Sequence, residues 1–402
     1  MVDLLWQRRS SMPTESQHTS FELNAADRSD IPTLGLFVVP LHFPERELVA
    51  CWEEDRDTIV HAEALDFAEG WVGEHYCNRW ENQASPELLL SQAFALTKRI
   101  RLGTGIKVIG YHHPAELAHK IAALDHLSHG RFMFGIGPGG APTDFEMMGI
   151  SPRDHDASER MRESIDMMRE MWSSQGAIDR EGKFWRLKIP LANRKFGWEY
   201  HIKPKQAPHP PIAVAGTSPN SRTLRWGGEQ GFLPLSFFDI NASIVRSQWE
   251  AYAEGAEKGG RKPDRKDWRI ARVVYAAETD DIARAHLRES SMPRAFNEHF
   301  KRVIQIFGGL FSLKHDESVA DEDVTADYML DNVWMVGSPD TVCERLERFY
   351  EDVGGFGTLL MVHFDTHPHP ERFRNSMRLM QEEVMPKLRQ TLRKRATAPI
   401  LV

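Results

Sequence analysis

Continuous apolar runs alternate with segments whose apolar residues recur at helical spacing, and the rhythm holds along most of the chain. The runs cover 34–40, 70–73, 100–109, 131–136, 212–215, 231–236, 270–276 and 358–364. Most are apolar or β-branched throughout, the pattern of strands buried on both faces of a parallel sheet. Helical patterns lie between and after them, over 55–69, 85–98, 115–128, 157–173, 218–229, 242–258, 339–352 and 370–393. One opens Ser85-Pro86-Glu87, with proline in the first turn, where a missing N–H is harmless. Eight strands alternating with helices predict an α/β fold, a (β/α)8 TIM barrel. A doubly wound sheet also alternates, but it places a glycine-rich turn straight after its first strand. Here Pro40-Leu41-His42-Phe43-Pro44 follows instead.

Two stretches break the rhythm. Residues 176–209 are rich in aromatic and basic side chains, including Trp185 and Trp198, and residues 290–331 carry an acidic patch. Long insertions in barrels usually sit at the C-terminal face, so both are expected to act as lids there. The first 30 residues are polar and read as a disordered extension. Residues 31–395 then form a single barrel domain.

In a barrel, the polar residues that end the strands mark the open face where ligands bind. Gly70-Trp71-Val72-Gly73 ends abruptly in Glu74 and His75, followed by Tyr76. An imidazole at such a place serves as acid or base near neutral pH, or merely bonds a loop carbonyl. His112 and His113 follow the third strand; with His75 they would make a three-imidazole metal set, but no spaced ligand motif accompanies them, and no metal is expected. The loop Gly135-Ile136-Gly137-Pro138-Gly139-Gly140 gives a flat ring or a phosphate close access to backbone. Gly216, Thr217 and Ser221 stand between the fifth strand and its helix, as a phosphate cradle or an ordinary hydroxyl cap by Thr217 or Ser218. Arg160 adds a bidentate charge to such a phosphate, or faces solvent.

Composition narrows the class. The net charge of −8 is spread along the chain, which argues against nucleic acid or a membrane surface as partner. Three scattered cysteines make no disulfide framework, and a reducing cytoplasm fits them. No apolar run is long enough to cross a membrane, and the N-terminus lacks the apolar core of a secretory signal.

The pieces LGLFVVPLHFP, WVGEHYCNRWENQASPELLL, RIRLGTGIKVIGYHHPAELAHKIAALDHLSHGRFMFGIGPGGAPTDFEMMGI and PPIAVAGTSPNS occur in this order. Together they resemble the bacterial luciferase-like flavin monooxygenases, in particular the limonene monooxygenase-like branch, over about residues 34–381. The resemblance implies a barrel that binds reduced FMN at the strand C-termini, with His75 as the histidine tied to catalysis. Glu74 precedes it in the matching motif, whose second histidine is Tyr76 here. Asp144 is expected to help position the ring.

The resemblance also implies a cis peptide at Gly105-Ile106 and cofactor contacts from His113, Gly137, Gly139, Arg160, Gly216, Thr217 and Ser221. Luciferases carry cysteine at Gly137 and arginine at Pro138, so one of their phosphate contacts is missing. Pro40, Tyr76, Trp185 and Trp198 are expected around an apolar substrate: a terpene, alkane or aldehyde-like compound. The reaction implied is insertion of one atom of O2, with reduced FMN supplied by a separate flavin reductase. No nicotinamide fingerprint is visible in the chain. A homo-oligomer, a dimer, is expected. Alternatives are a deazaflavin-dependent oxidoreductase on the same barrel and a silent flavin-binding paralogue.

Overall fold

A computed structural model describes residues 32–397 apart from 151–156, 238 and 307. The proposed N-terminal extension lies outside the described residues. In chain order the strands are β1 (Thr33–Val38), β2 (Glu69–Val72), β3 (Arg101–Thr104), β4 (Lys107–Val108), β5 (Phe132–Gly137), β6 (Ile178–Glu181), β7 (Arg186–Ile189), β8 (Ile212–Gly216), β9 (Leu233–Ser236), β10 (Arg269–Arg272), β11 (Val274–Ala276), β12 (Met335–Gly337) and β13 (Thr358–His363). Hydrogen bonding runs β3-β2-β1-β13-β10-β9-β8-β5, and β3 pairs with β5 to close the ring. Every pairing around this ring is parallel. Eight parallel strands therefore close into the barrel that the apolar runs predict, and each run overlaps one of them to within a residue at either end or runs past it.

The first helices are α1 (Leu48–Ala64), α2 (Pro86–Leu96), α3 (Pro114–Leu127), α4 (Pro142–Met147), α5 (Ala157–Ser173), α6 (Arg222–Gln230) and α7 (Ala242–Lys258). Strands β5 and β13 are buried at all six positions, as expected where the ring interior is on one side and helices on the other. The barrel interior also holds a charge pair. Arg269 of β10 donates to both carboxylate oxygens of Glu69 at 3.0 and 3.1 Å, and Trp71 Nε1 donates to Glu69 Oε1 at 2.9 Å. β2 and β10 are separated by two strands in the ring, so this pair ties the ring across its interior.

Several boundaries differ from the sequence expectation. Helix α1 begins at Leu48 rather than 55, and Glu69 belongs to β2, not to the helix. Its apolar pattern misleads because Leu48 and Val49 are exposed while Asp55 is fully buried. The helix after β8 starts at Arg222 rather than 218, and its cap is Ser221, whose Oγ accepts from Leu224 N–H at 3.3 Å, not Thr217 or Ser218. Strand β12, which pairs with β11, was not expected at all.

The insertion 176–209 is not a lid over the barrel mouth. Its hairpin β6–β7 is followed by a segment that runs down α3. Trp185 packs on His113, Tyr200 on His119, the Lys203 carbonyl on His126, and Gln206 bonds Asp125. The second insertion is largely helical and stays at the strand C-termini, where Ser291 N–H donates to Asp365 O just beyond β13.

Candidate functional site

A cavity of about 300 Å³ opens at the C-terminal ends of the strands. Phe37 and Val39 line it from the end of β1, Glu74 and His75 from that of β2, Gly105 and Ile106 from just after β3, Val108 from β4, Gly137–Gly140 from the end of β5, Ala215 and Thr217 from that of β8, and Leu235 and Phe237 from that of β9. Ala276 and Phe364, at the ends of the last two runs, do not line it. Gly105-Ile106 is a cis peptide. The glycine loop gives the space: a Cβ at Gly137 would lie 2.4 Å from Ile106 Cδ1. Gly139 has φ +81°, a left-handed conformation that suits glycine, and a Cβ at Gly140 would meet nothing within 4 Å.

The loop after β2 is fixed by charge. The Glu74 carboxylate stands 2.7 Å from Lys107 Nζ, which also reaches Glu87 at 3.2 Å; Lys107 and Glu74 are both buried. Burial pushes the Glu74 carboxyl up to about 7, against the Lys107 ammonium that favours its charge. Asp144, from α4, accepts from the backbone N–H groups of Tyr76 at 3.3 Å and Cys77 at 2.9 Å. Glu74 and Asp144 therefore both line the cavity and both hold the loop that carries His75. The His75 side chain is 35% exposed and approaches the buried Glu81 carboxylate at 3.5 Å. Glu81 was not singled out from the sequence, since nothing in a Trp-Glu-Asn loop marks an inward-facing acid.

A second cavity of about 380 Å³ adjoins the first and shares Ser218, Ser221 and Thr223 with it. Its other lining residues are Ser158, Glu159, Met161 and Arg162 of α5, Pro219, Asn220 and Arg222. It lies at the start of α6, where backbone N–H groups have no helical acceptor and the helix dipole favours an anion. Arg162 Nε is buried there with no hydrogen-bond partner. Its guanidinium lies over the Trp226 ring at 5.4 Å, and a cationic side chain on the wall of a polar cavity suits a phosphate.

Arg160, expected to fill this role, lines neither cavity. Its stem packs against Gly110 and its guanidinium stacks on Phe184 and Trp185 at 4.7 and 5.1 Å. The helical repeat explains the exchange: two residues along a helix rotate a side chain by about 200°, to the opposite face.

The remaining expected residues divide. Gly105, Ile106, Gly137, Gly139, Thr217 and Ser221 line the cavities, and Gly216 directly precedes Thr217 at the end of β8. His113 does not: its ring engages the Arg186 carbonyl and the Ala115 N–H, capping α3. His112 is paired instead with the Tyr76 hydroxyl at 3.3 Å, and burial together with the Lys107 charge depresses its imidazole to about 4. The three histidines thus serve separate partners. Pro40 backs Gly73, and Tyr76 packs on Tyr111. Trp185 donates to Ser164 Oγ on α5, and Trp198 is 71% exposed on the descending segment, so neither covers the cavity.

No described helix is long and apolar enough to cross a membrane. The sequence model of the luciferase-like monooxygenases matches residues 33–355. Among curated proteins, 3,6-diketocamphane 1,6-monooxygenase of Pseudomonas putida is 30% identical over 370 residues, covering 88% of this chain and 97% of its own. Limonene 1,2-monooxygenase of Rhodococcus erythropolis is 28% identical, over 82% of this chain and 80% of its own. A solved structure of the oxygenating constituent of 3,6-diketocamphane monooxygenase from P. putida, a type II Baeyer-Villiger monooxygenase in complex with FMN, superposes with a TM-score of 0.83 at 30% identity. It covers 89% of this chain and 98% of that one. The parallel barrel, the matched residues and these relatives agree: the chain belongs to the luciferase-like, flavin-dependent monooxygenase family.

Proposed function

We propose that this protein is the oxygenase component of a two-component system. It takes reduced FMN from a separate flavin reductase and places one oxygen atom of O2 into a small cyclic, terpenoid-like substrate. The second oxygen atom leaves as water, with the two electrons and protons drawn from the reduced flavin. The observation that carries this reading is the pair of joined cavities, one with a glycine-walled mouth beside His75, the other polar, with Arg162 on its wall at a helix start.

Reduced FMN, when bound, supplies the electrons that activate O2. Arg162, Ser221, Thr217 and the first N–H groups of α6 would hold its phosphate. Gly137, Gly139 and Ile106 leave room for the flat ring. Phe37 and Phe237, with ring centroids 4.7 Å apart, and Leu235 form an apolar wall that keeps water out. His75 is the group placed to hold or deliver a proton to the oxygen atoms in transit.

The relative at 30% identity that holds FMN weighs toward flavin rather than deazaflavin. Its description as an oxygenating constituent supports a reductase partner. The test is an anaerobic titration with reduced FMN, followed by oxygen uptake with a generic reductase and a panel of terpenes, cyclic ketones and aldehydes. Binding of a reduced deazaflavin in place of FMN, or binding of FMN without substrate-dependent oxygen uptake, would overturn the proposal.

A further inference from the structure

The loop that carries His75 doubles back on itself, and His75 N–H donates to the Gln83 carbonyl at 2.8 Å. This return places Glu81, only 5% exposed, on the cavity wall beside His75. One carboxylate oxygen of Glu81 faces His75 Nε2 at 3.5 Å. The other is held from the far side by Asn78 Nδ2 at 2.5 Å and by His299 Nε2 at 3.0 Å. His299 belongs to the π-helical turn Phe296–Phe300 of the second insertion. That segment is itself fastened to the loop, because Arg294 stacks on Trp80 at 5.2 Å and pairs with Glu45.

We propose that Glu81 is the positioning residue of His75, and that the second insertion contributes to the site by clamping Glu81 through His299. The inference rests on the monooxygenase reading of His75. A buried carboxylate accepts hydrogen bonds and donates none while ionised, so its field at 3.5 Å favours the proton on the ring nitrogen that faces it. Burial raises the Glu81 carboxyl, but the His75 charge and the bonds from His299 and Asn78 outweigh it and hold the group below the ordinary carboxylate range. Whenever the His75 ring is neutral, its one proton is therefore drawn to Nε2, beside the carboxylate, and the lone pair is left on Nδ1. A ring with one defined tautomer acts as a directed base. One that exchanges tautomers is in the wrong form for part of the time.

The test uses 15N-histidine-labelled protein free of cofactor, with the ring signals of His75 identified by their loss in His75→Gln. In the wild-type protein the neutral ring should be Nε2-protonated. Glu81→Met, close in volume but no acceptor, should shift the tautomer ratio several-fold toward Nδ1-H. In turnover, Glu81→Met should lower kcat about tenfold, less than the roughly 10²–10⁴ expected for loss of the proton-transfer group itself, with KM for reduced FMN nearly unchanged. In a His75→Ala background the same substitution should add nothing, because the two residues act as one unit.

An unchanged tautomer ratio, or an equal loss in the His75→Ala background, overturns the proposal. If His75→Ala turns over like wild type while the tautomer still moves, the catalytic reading falls and the positioning stands. Should Glu81→Met fail to fold, His299→Ala must move the ratio in the same direction, and no movement there also overturns the proposal.

Discussion

Two histidine–carboxylate clusters flank the C-terminal mouth of the barrel, built from the same residue types. Around His42, which follows β1, Nε2 stands 3.1 Å from Asp55 of α1 and Nδ1 3.4 Å from Asp365 beyond β13. His363 reaches the same Asp55 at 3.3 Å, and Arg46 lies 2.9 Å from both Asp365 and Glu54. His42, Asp55 and Asp365 are all 0% exposed and none lines a described cavity. Around His75, by contrast, the ring is partly open and on the cavity wall, with one carboxylate behind it. Access, not composition, separates a tie between strands and helix from a group that can exchange a proton with a ligand. The closed cluster also shows why spacing alone is no metal site: His42, Glu54 and Asp365 converge, but the Arg46 guanidinium already bridges the two acids.

The comparison is broken most sharply at the two histidines. His75→Ala should cut product formation by about 10²–10⁴ and raise hydrogen peroxide released per O2 consumed, while melting as wild type does. Product yield equal to wild type would return His75 to the class of His42. Conversely, His42→Ala leaves two buried carboxylates short of a partner and should lower stability by about 3–5 kcal/mol, measured by denaturant unfolding, with little effect on flavin affinity.

The pH dependence of that second effect has a definite sign. Burial lowers the proton affinity of His42, but Asp55 and Asp365 outweigh it and raise the imidazole well above its ordinary value of 6.5. A raised folded value means that the contribution is complete below the unfolded value and fades as pH climbs through the folded one. The stability gap between wild type and His42→Ala should therefore narrow in alkali. Asp365 works the other way: His42, Arg46 and the His367 N–H outweigh burial and depress its carboxyl, so its contribution is lost as pH falls.

A smaller effect sharpens the open side. Arg162→Ala should weaken reduced-FMN binding by roughly tenfold or more, since a charge-assisted bond contributes about 1.5–3 kcal/mol. Arg160→Ala should do far less, and the reverse order in an anaerobic fluorescence titration would restore Arg160 to the phosphate. The smallest effect is expected at the exposed tryptophan of the descending segment. Trp198→Ser should leave kcat/KM unchanged and stability within about 0.5 kcal/mol, as for a surface position away from any site.

The barrel was legible in the chain because each strand is buried on both faces, so its run is apolar throughout and a helix separates it from the next. His75 and the glycine loop were legible for a related reason: strand ends in a barrel converge, so an abrupt change from apolar to polar residues marks the mouth. The misses have equally particular causes. Helix α1 hides its start because it exposes Leu48 and Val49 and buries Asp55 against His42, a partner thirteen residues away. The aromatic stretch 176–209 suggests a cover, yet composition cannot say which way a segment leaves the barrel, and this one follows α3 toward the opposite end.

The order of strands, the closure of the ring and the location of the mouth are thus written locally, in runs of a few residues whose burial is the same wherever they pack. Which of two arginines on one helix faces the polar cavity is not: the helical repeat sets Arg160 and Arg162 about 200° apart, but which of the two faces inward depends on how α5 sits against α3 and the hairpin. Nor is the meeting of Glu81 with His299, 218 residues apart in the chain, which exists only because the second insertion folds over the loop after β2. Periodicity reports what each segment buries; only the tertiary structure decides what it is buried against.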